Sequence, residues 1–384
     1  MPVLFLIVFV DTLGFGLLLP LLPFYVQRIG ATPDVITAVL GLYSLAQVIS
    51  APLWGRLSDR YGRKPILTMT CIGLGLSYVI LAFAESLPLI IASRVFGGLM
   101  AGNLATAQAY VADVTTPETR AKGLGLIGAA FGLGFIVGPS VGGLLAGASV
   151  EGADYRLPAL AAMTLSFAAA LSAAVFLKES RTPGEGGETR ASFGEKWRVA
   201  FARRRLLVLV AMGFVIITAW AQFETIFGLW SNRVLAFGPR EIGFMFGFMG
   251  VVNALTQGLL INRLTRSFGE ARLLLIAGLL FVSGYLAAAL SSSLPALVVS
   301  CAVLSFAFAL FNPSATSLVS KEAASGERGA VLGSYQSAAA LGRVVGPAFS
   351  GSLFAAGASL PYLVAALLAG VGLALMTALK KRGE

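Results

Sequence analysis

Twelve apolar runs, most of them about twenty residues or longer, dominate this 384-residue chain. They fall at 2–26, 34–55, 65–84, 88–112, 122–147, 156–178, 205–230, 240–261, 271–290, 294–319, 329–355 and 361–379. A helix rises about 1.5 Å per residue, so roughly twenty apolar residues cross the hydrocarbon core of a bilayer. Lipid offers the backbone no hydrogen-bonding partner, which leaves helices and closed barrels as the spanning structures. Runs of this length read as helices, and the expected fold class is an all-α polytopic membrane protein. Composition agrees: 57% of the residues are hydrophobic and 12% charged, where a soluble domain carries about a quarter charged.

Several function classes drop out early. The opening "MPVLFLIVFVDTLGFGLLLPLLPFYV" has no basic n-region and no small-residue cleavage site, so it reads as a first span and not a cleavable leader. Histidine is absent, which excludes an HExxH zinc site and a histidine-based triad. Cys71 and Cys301 both fall inside apolar runs and read as buried thiols. No G-x-x-x-x-G-K-[ST] loop is present for an ATP-driven pump. No cofactor and no catalytic set is implied.

The net charge of +10 follows topology. Alternate connections, with the C-terminal tail, hold 22 of the 28 Lys and Arg residues. The opposite connections hold Arg28, Arg156, Arg233 and Arg240, while Arg94 and Arg343 lie within spans. The positive-inside rule then places both termini in the cytoplasm. Basic loops also suit an anionic inner leaflet, so the partner is the lipid bilayer and not nucleic acid. One connection, 179–204, is long, polar and Gly-rich. It divides the chain into an N-terminal bundle at 1–178, a cytoplasmic linker at 179–204 and a C-terminal bundle at 205–384.

The halves repeat one another. "GRLSDRYGRKPILT" at 55–68 recurs as "NRLTRSFGEARLLL" at 262–275, and "GFIVGPSVGG" at 134–143 as "GRVVGPAFSG" at 342–351. Gly62 matches Gly269, Arg120 matches Arg328, and the charges exchange: Asp59 becomes Arg266 and Arg63 becomes Glu270. Six-span repeats in one orientation imply two similar bundles about an axis along the membrane normal, with substrate held between them near mid-depth. On "DTLGFGLLLPLLPFY", "GRLSDRYGRKP", "SRVFGGLMAG", "YVADVTTPETRAKG" and "GLGFIVGPSVGG" the chain resembles the major facilitator superfamily, and within it the drug/proton antiporters related to the tetracycline efflux pumps. The resemblance covers essentially the whole chain.

The stretch 55–65 reads as the connection between spans 2 and 3. Its basic residues anchor topology. Arg63 lies one helical turn from Asp59, and Asp113 at the end of span 4 can reach the same arginine. The resemblance implies that Gly55, Asp59, Arg63, Asp113 and Arg120 belong to a conformational latch that also touches span 11. Asp59, an anion, would suit the positive end of a helix. Arg266 and Glu270 suggest a weaker counterpart. In span 5, Gly134, Gly138 and Gly142 form a small-residue stripe that permits close helix approach, and Pro139 can kink the helix. The resemblance makes this stripe a seam against the other bundle.

Ionisable residues inside spans are costly and point to function. Asp11 sits roughly 14 Å into span 1. Arg94 lies in span 4, Glu224 in span 7 and Arg343 in span 11. Two acids and two bases can form structural pairs, or the acids can carry protons, because an apolar site favours a carboxyl's neutral form. Asp11 and Glu224 are the expected proton-coupling residues. At helical spacing, Tyr43 pairs with Gln47, Arg94 with Gln108, Asn253 with Gln257, and Gln336 with Arg343; each pair shares a face that avoids lipid and lines a cavity or a helix contact. Trp220, Phe223, Phe227 and Trp230 on span 7 offer aromatic surface for a cation, or ordinary packing. Asn103 faces away from Arg94 and is assigned to packing. Against the tetracycline pumps, two membrane acids and a histidine fall on Ser77, Phe281 and Asn253, none ionisable, while Asp11 matches their span-1 acid.

The expected function is a proton-coupled antiporter exporting small amphipathic compounds by alternating access, in the inner membrane, with a small-molecule substrate and protons as partners. The resemblance implies a monomer. The alternatives are a symporter or facilitator for a sugar or organic anion, held by Arg94 and Arg343, and a non-transporting receptor.

Overall fold

In the computed structural model the described residues are 2–180, 203–323 and 328–380. Among them the secondary structure is helical, with no strand. Twelve helical segments are long and apolar enough to cross a membrane, as the apolar runs require. They are α1 (Pro2–Arg28), α2 (Pro33–Tyr61), α3 (Arg63–Ala82), α4 (Leu87–Val114), α5 (Pro117–Ala146), α6 (Arg156–Phe176), α7 (Arg204–Leu235), α8 (Pro239–Phe268), α9 (Glu270–Leu290), α10 (Leu294–Lys321), α11 (Arg328–Ala356) and α12 (Leu360–Lys380). Most of the expected linker lies outside the described residues, as do the side chains of Arg120 and Arg328.

Three helices are interrupted. α1 breaks between Leu18 and Leu22, beside Pro20 and Pro23. α4 breaks at Ala101–Gly102. α8 widens to a π-turn over Thr256–Leu260. By contrast, the expected 55–65 connection is almost all helix. α2 runs to Tyr61 and α3 starts at Arg63, so Gly62 alone turns the chain, at φ 99°. Its repeat mate Gly269 turns α8 into α9 at φ 72°. A side chain is strained in that region, and glycine is not.

Two compact units result. One holds α1–α6 with residues 237–250 at the start of α8; the other holds α7, the rest of α8 and α9–α12. In the first, α1 packs on α5 and α6, and α3 on α4 and α6. In the second, α7 packs on α11 and α12, and α9 on α10 and α12. Each pairing recurs six helices on, as the repeat predicts.

Glycine sets the α1–α5 distance. A Cβ at Gly134 would meet Thr12 and Leu13, one at Gly138 would meet Leu13 and Gly16, and one at Gly142 would overlap the Leu17 carbonyl. The three glycines therefore face α1 of their own unit, which corrects the expected seam for them though not for Pro139, whose carbonyl meets α8: residues four apart make one narrow line, and α1 fills it. The neighbouring face, with Pro139, Ser140 and Gly143, takes Gly243 and Gly247 of α8, and Ser140 Oγ donates to the Gly243 carbonyl at 3.4 Å. In the second unit Gly342 and Gly346 approach Thr218 and Gln222 of α7 in the same way.

Gly138→Leu should force α5 off α1 and destabilise the protein by about 1–3 kcal/mol. Gly132→Leu, at a position with nothing within 4 Å, should cost far less. Thermal unfolding in detergent compares the two.

Candidate functional site

Asp11 lies half-buried on α1. Asn103 Nδ2 donates to its Oδ1 at 3.0 Å, and Thr70 Oγ1 donates in turn to Asn103 Oδ1. Asn103 is 1% exposed and opens the second segment of α4. This corrects its assignment to packing. The break at Ala101–Gly102 resets the helical phase, so a face counted from Arg94 does not carry past it. For the same reason Arg94 and Gln108 do not share an environment: Arg94 is 3% exposed, and Gln108 is exposed.

Arg94 has unusual company. Its guanidinium carbon lies 5.8 Å from the Tyr43 ring centre and 6.0 Å from that of Tyr78. Nη2 donates to Ser93 Oγ at 3.2 Å, and Ser93 Oγ donates to the Ser77 carbonyl at 2.8 Å. Nε has no hydrogen-bond partner, and among the described residues no carboxylate forms an ion pair with Arg94. Tyr43 and Gln47 on α2 are half-buried; Tyr43 packs on Phe15 at 5.3 Å, and Gln47 Nε2 donates to the Ala101 carbonyl at 3.3 Å, where α4 breaks.

The second unit places Glu224 half-buried on α7, within electrostatic reach of Arg343 on α11. Arg343 stays exposed, as does Gln336 on the same helix. Trp220 is half-buried and stacks on Phe308 at 4.3 Å. Phe223 and Phe227 have no exposed surface, and Trp230 has 1%. Their rings pack on one another, on Tyr285 and on Tyr362, at 5.2–6.0 Å. Of the expected aromatic surface on α7, Trp220 remains; the other three are core, because α9 and α12 cover that face. Gln257 Nε2 donates to Asn253 Oδ1 at 2.8 Å, across the start of the π-turn.

The charged group at the α2–α3 turn forms as expected in part. Arg63 is 3% exposed; its Nη1 lies 2.6 Å from Asp59 Oδ1 and 2.7 Å from Ser58 Oγ, and its Nε lies 2.9 Å from Asp113 Oδ2. The anion at the start of α3 is Glu179, not Asp59. Its carboxylate accepts the backbone N–H of Arg63 at 2.8 Å and of Lys64 at 3.1 Å. Negative charge belongs there, at the positive end of the helix dipole. Ser180 Oγ joins Asp113 Oδ2 at 3.3 Å. The sequence signal for Glu179 is slight: an acid just past the sixth apolar run, on the side where α3 begins. Gly55 lies within α2, buried. In the second unit Glu270 does not pair with Arg266. It takes Lys321 Nζ and, at 3.0 Å, Ser317 Oγ. Lys321 stands where Asp113 does in the repeat, so the pair persists with its charges exchanged.

Removing the side chain of Asn103 strips partners from both Asp11 and Thr70. Asn103→Ala should cost about 1–3 kcal/mol, and Gln108→Ala much less, by thermal unfolding in detergent.

The sequence profile of the Major Facilitator Superfamily matches residues 4–264 and 234–384. The chain is 30% identical to "Multidrug resistance protein 2" of Bacillus subtilis (strain 168) over 383 residues, 98% of this chain and 94% of that one. It is 30% identical to "Tetracycline resistance protein, class G" of Vibrio anguillarum, over 91% of this chain and 89% of that one. Among solved structures, the human organic anion transporter MFSD10 superposes with a TM-score of 0.73 at 27% identity, covering 98% of both chains.

Proposed function

The chain belongs to the Major Facilitator Superfamily, and on that footing we propose that it is a proton-coupled antiporter exporting small amphipathic compounds, drugs among them, by alternating access. As a member of that family it is a multi-pass membrane transporter and not an enzyme. Full-length kinship with multidrug and tetracycline resistance proteins supports export as the activity. The observation that carries proton coupling is an acid within the spanning helices of each unit: Asp11 held by Asn103, and Glu224 within reach of Arg343. An acid so placed can release its proton to bind a cation and take one up to let it go.

In this reading the basic connections face the cytoplasm, and the protein works as a monomer in the inner membrane with 1–178 and 205–384 as its two bundles. Substrate enters from the cytoplasm or inner leaflet. Trp220 and Glu224 offer a ring face and a charge to a cationic amphiphile; Tyr43, Gln47, Asn253, Gln257, Gln336 and Arg343 supply polar contacts. Protons arriving from outside displace substrate and reset the carrier. Asp59, Arg63 and Asp113, with Glu179, act as a latch at the cytoplasmic end of the first unit, and Glu270 with Lys321 at that of the second.

One observation favours a second reading. Arg94 is a buried cation with no described acid partner, and such a charge is costly unless something anionic pairs with it. The organic anion transporter among the relatives points the same way. The substrate would then carry a carboxylate or similar group onto Arg94.

Liposomes enclosing a pH-sensitive dye test both. Tetracyclines, cationic dyes, neutral drugs and organic anions are added under an imposed proton gradient. Antiport predicts compound-dependent proton exit that is lost in Asp11→Asn or Glu224→Gln. Proton movement driven by the anions alone, and lost in Arg94→Gln, would replace it with the second reading. No proton movement with any compound, in folded protein, would contradict coupling.

A further inference from the structure

At one end of the first unit, α1, α3 and α6 close around a cavity of about 400 Å³, within the size range of small-ligand sites. Two arginines and two acids line it: Arg28, Arg156, Glu85 and Asp154. They are separate from the charged cluster at the α2–α3 turn and from the acids within the spans. The depth of the cavity follows from α3. Its 20 residues, Arg63–Ala82, rise about 30 Å and cross the hydrocarbon core once. They start at the α2–α3 turn, so Phe83, Ala84 and Glu85 at the other end lie at the level of the lipid head groups. In the proposed topology that end faces outward.

Both arginines are fixed. Arg28 Nη1 donates to the Ala153 carbonyl at 3.2 Å, and its guanidinium carbon lies 5.9 Å from the Tyr155 ring centre. Arg156 Nε donates to the Ala82 carbonyl at 3.2 Å, and its guanidinium carbon lies 5.1 Å from the Phe83 ring centre. Tyr25 stacks on Tyr155 at 5.1 Å, and its hydroxyl donates to the Ala84 carbonyl at 2.5 Å. These bonds tie the helix ends together. They use one of the five N–H donors of each guanidinium, and a neutral amide could make either of them. Among the described residues neither arginine forms an ion pair, and neither does Glu85, which is exposed. Arg156 also opens α6, at the positive end of the helix dipole, where a cation is disfavoured. Asp154 offsets part of this, since its Oδ1 accepts the backbone N–H of Arg156 at 2.8 Å and of Leu157 at 3.0 Å.

Two guanidiniums and a carboxylate around one cavity suit a ligand that carries an anion and a cation side by side. A phosphate ester matches the forked donors of arginine, and an ammonium matches Glu85. We propose that this cavity binds the head group of a phosphatidylethanolamine, its phosphate on Arg28 and Arg156 and its ammonium on Glu85. A soluble phosphoethanolamine ester has the same chemistry. The depth favours the lipid, and so do Phe83 and Leu157, apolar side chains exposed beside the arginines. The bound lipid joins the ends of α1, α3 and α6 and stabilises the first unit by mass action.

Protein purified in detergent is titrated with dioleoyl phosphatidylethanolamine, phosphatidylcholine or phosphatidylglycerol, and separately with soluble glycerophosphoethanolamine. Native mass spectrometry counts the bound lipid, and thermal unfolding gives Tm. The wild type should hold one phosphatidylethanolamine in preference to the other lipids, with a saturating rise in Tm. Arg28→Gln and Arg156→Gln should each weaken that binding about tenfold or more, the worth of a charge-assisted hydrogen bond. Glu85→Gln leaves the arginine bonds in place; it should keep the Tm of the lipid-free protein and lose the preference for phosphatidylethanolamine over phosphatidylglycerol. Arg233→Gln is the control, at an arginine stacked on Phe354 in the second unit, and should leave binding unchanged. Unchanged binding in both cavity arginine variants would overturn the site. A preference that survives Glu85→Gln, or equal binding of all three lipids, would overturn the zwitterionic ligand. Glycerophosphoethanolamine binding as tightly as the lipid would overturn the lipid as its source.

Discussion

Inside a bilayer a polar side chain has no water to turn to, and the bundle itself must satisfy it. That constraint organises this protein. Asp11 is tolerable on α1 because Asn103 and Thr70 form a hydrogen-bonded chain behind it. Arg63 is buried at the end of a helix because two carboxylates and a serine take its donors. Glu224 has Arg343 for company. Among the described residues Arg94 Nε has no such partner.

Close packing makes these pairings possible. The α1–α5 and α7–α11 contacts are built alike, with glycines 134, 138, 342 and 346 letting backbone meet backbone. Thr12 and Thr218 sit at equivalent points and bond back to their own helices, at 2.8 Å and 2.7 Å. The repeat is thus conserved in geometry while its chemistry diverges. Arg63–Asp113 in one unit becomes Glu270–Lys321 in the other. Each unit keeps an acid on its first helix, Asp11 with a hydrogen bond from Asn103 and Glu224 within electrostatic reach of Arg343.

Much of this was legible beforehand. Twelve spans follow from apolar length, and the tie between Asp59, Arg63 and Asp113 follows from charge and spacing. The failures have physical causes. Asn103 escaped because face counting assumes an unbroken helix, and α4 breaks one residue earlier. Glu179 reaches the start of α3 from more than a hundred residues away, a contact no local pattern encodes. Phe223 and Phe227 match a binding face as well as a core face by spacing; what separates them from Trp220 is which neighbouring helix covers them. The glycine stripe announced close approach but not the partner.

The central claim is that substrate and protons compete for the same acids within the spanning helices. Proton release on substrate binding tests it without a membrane or a gradient. Purified protein in weakly buffered detergent solution is titrated with a transported compound, and the pH is followed. The account predicts that binding acidifies the solution, and that Asp11→Asn with Glu224→Gln abolishes the release. Saturable binding with no proton released, in wild-type protein and across the pH range where it stays folded, would contradict it.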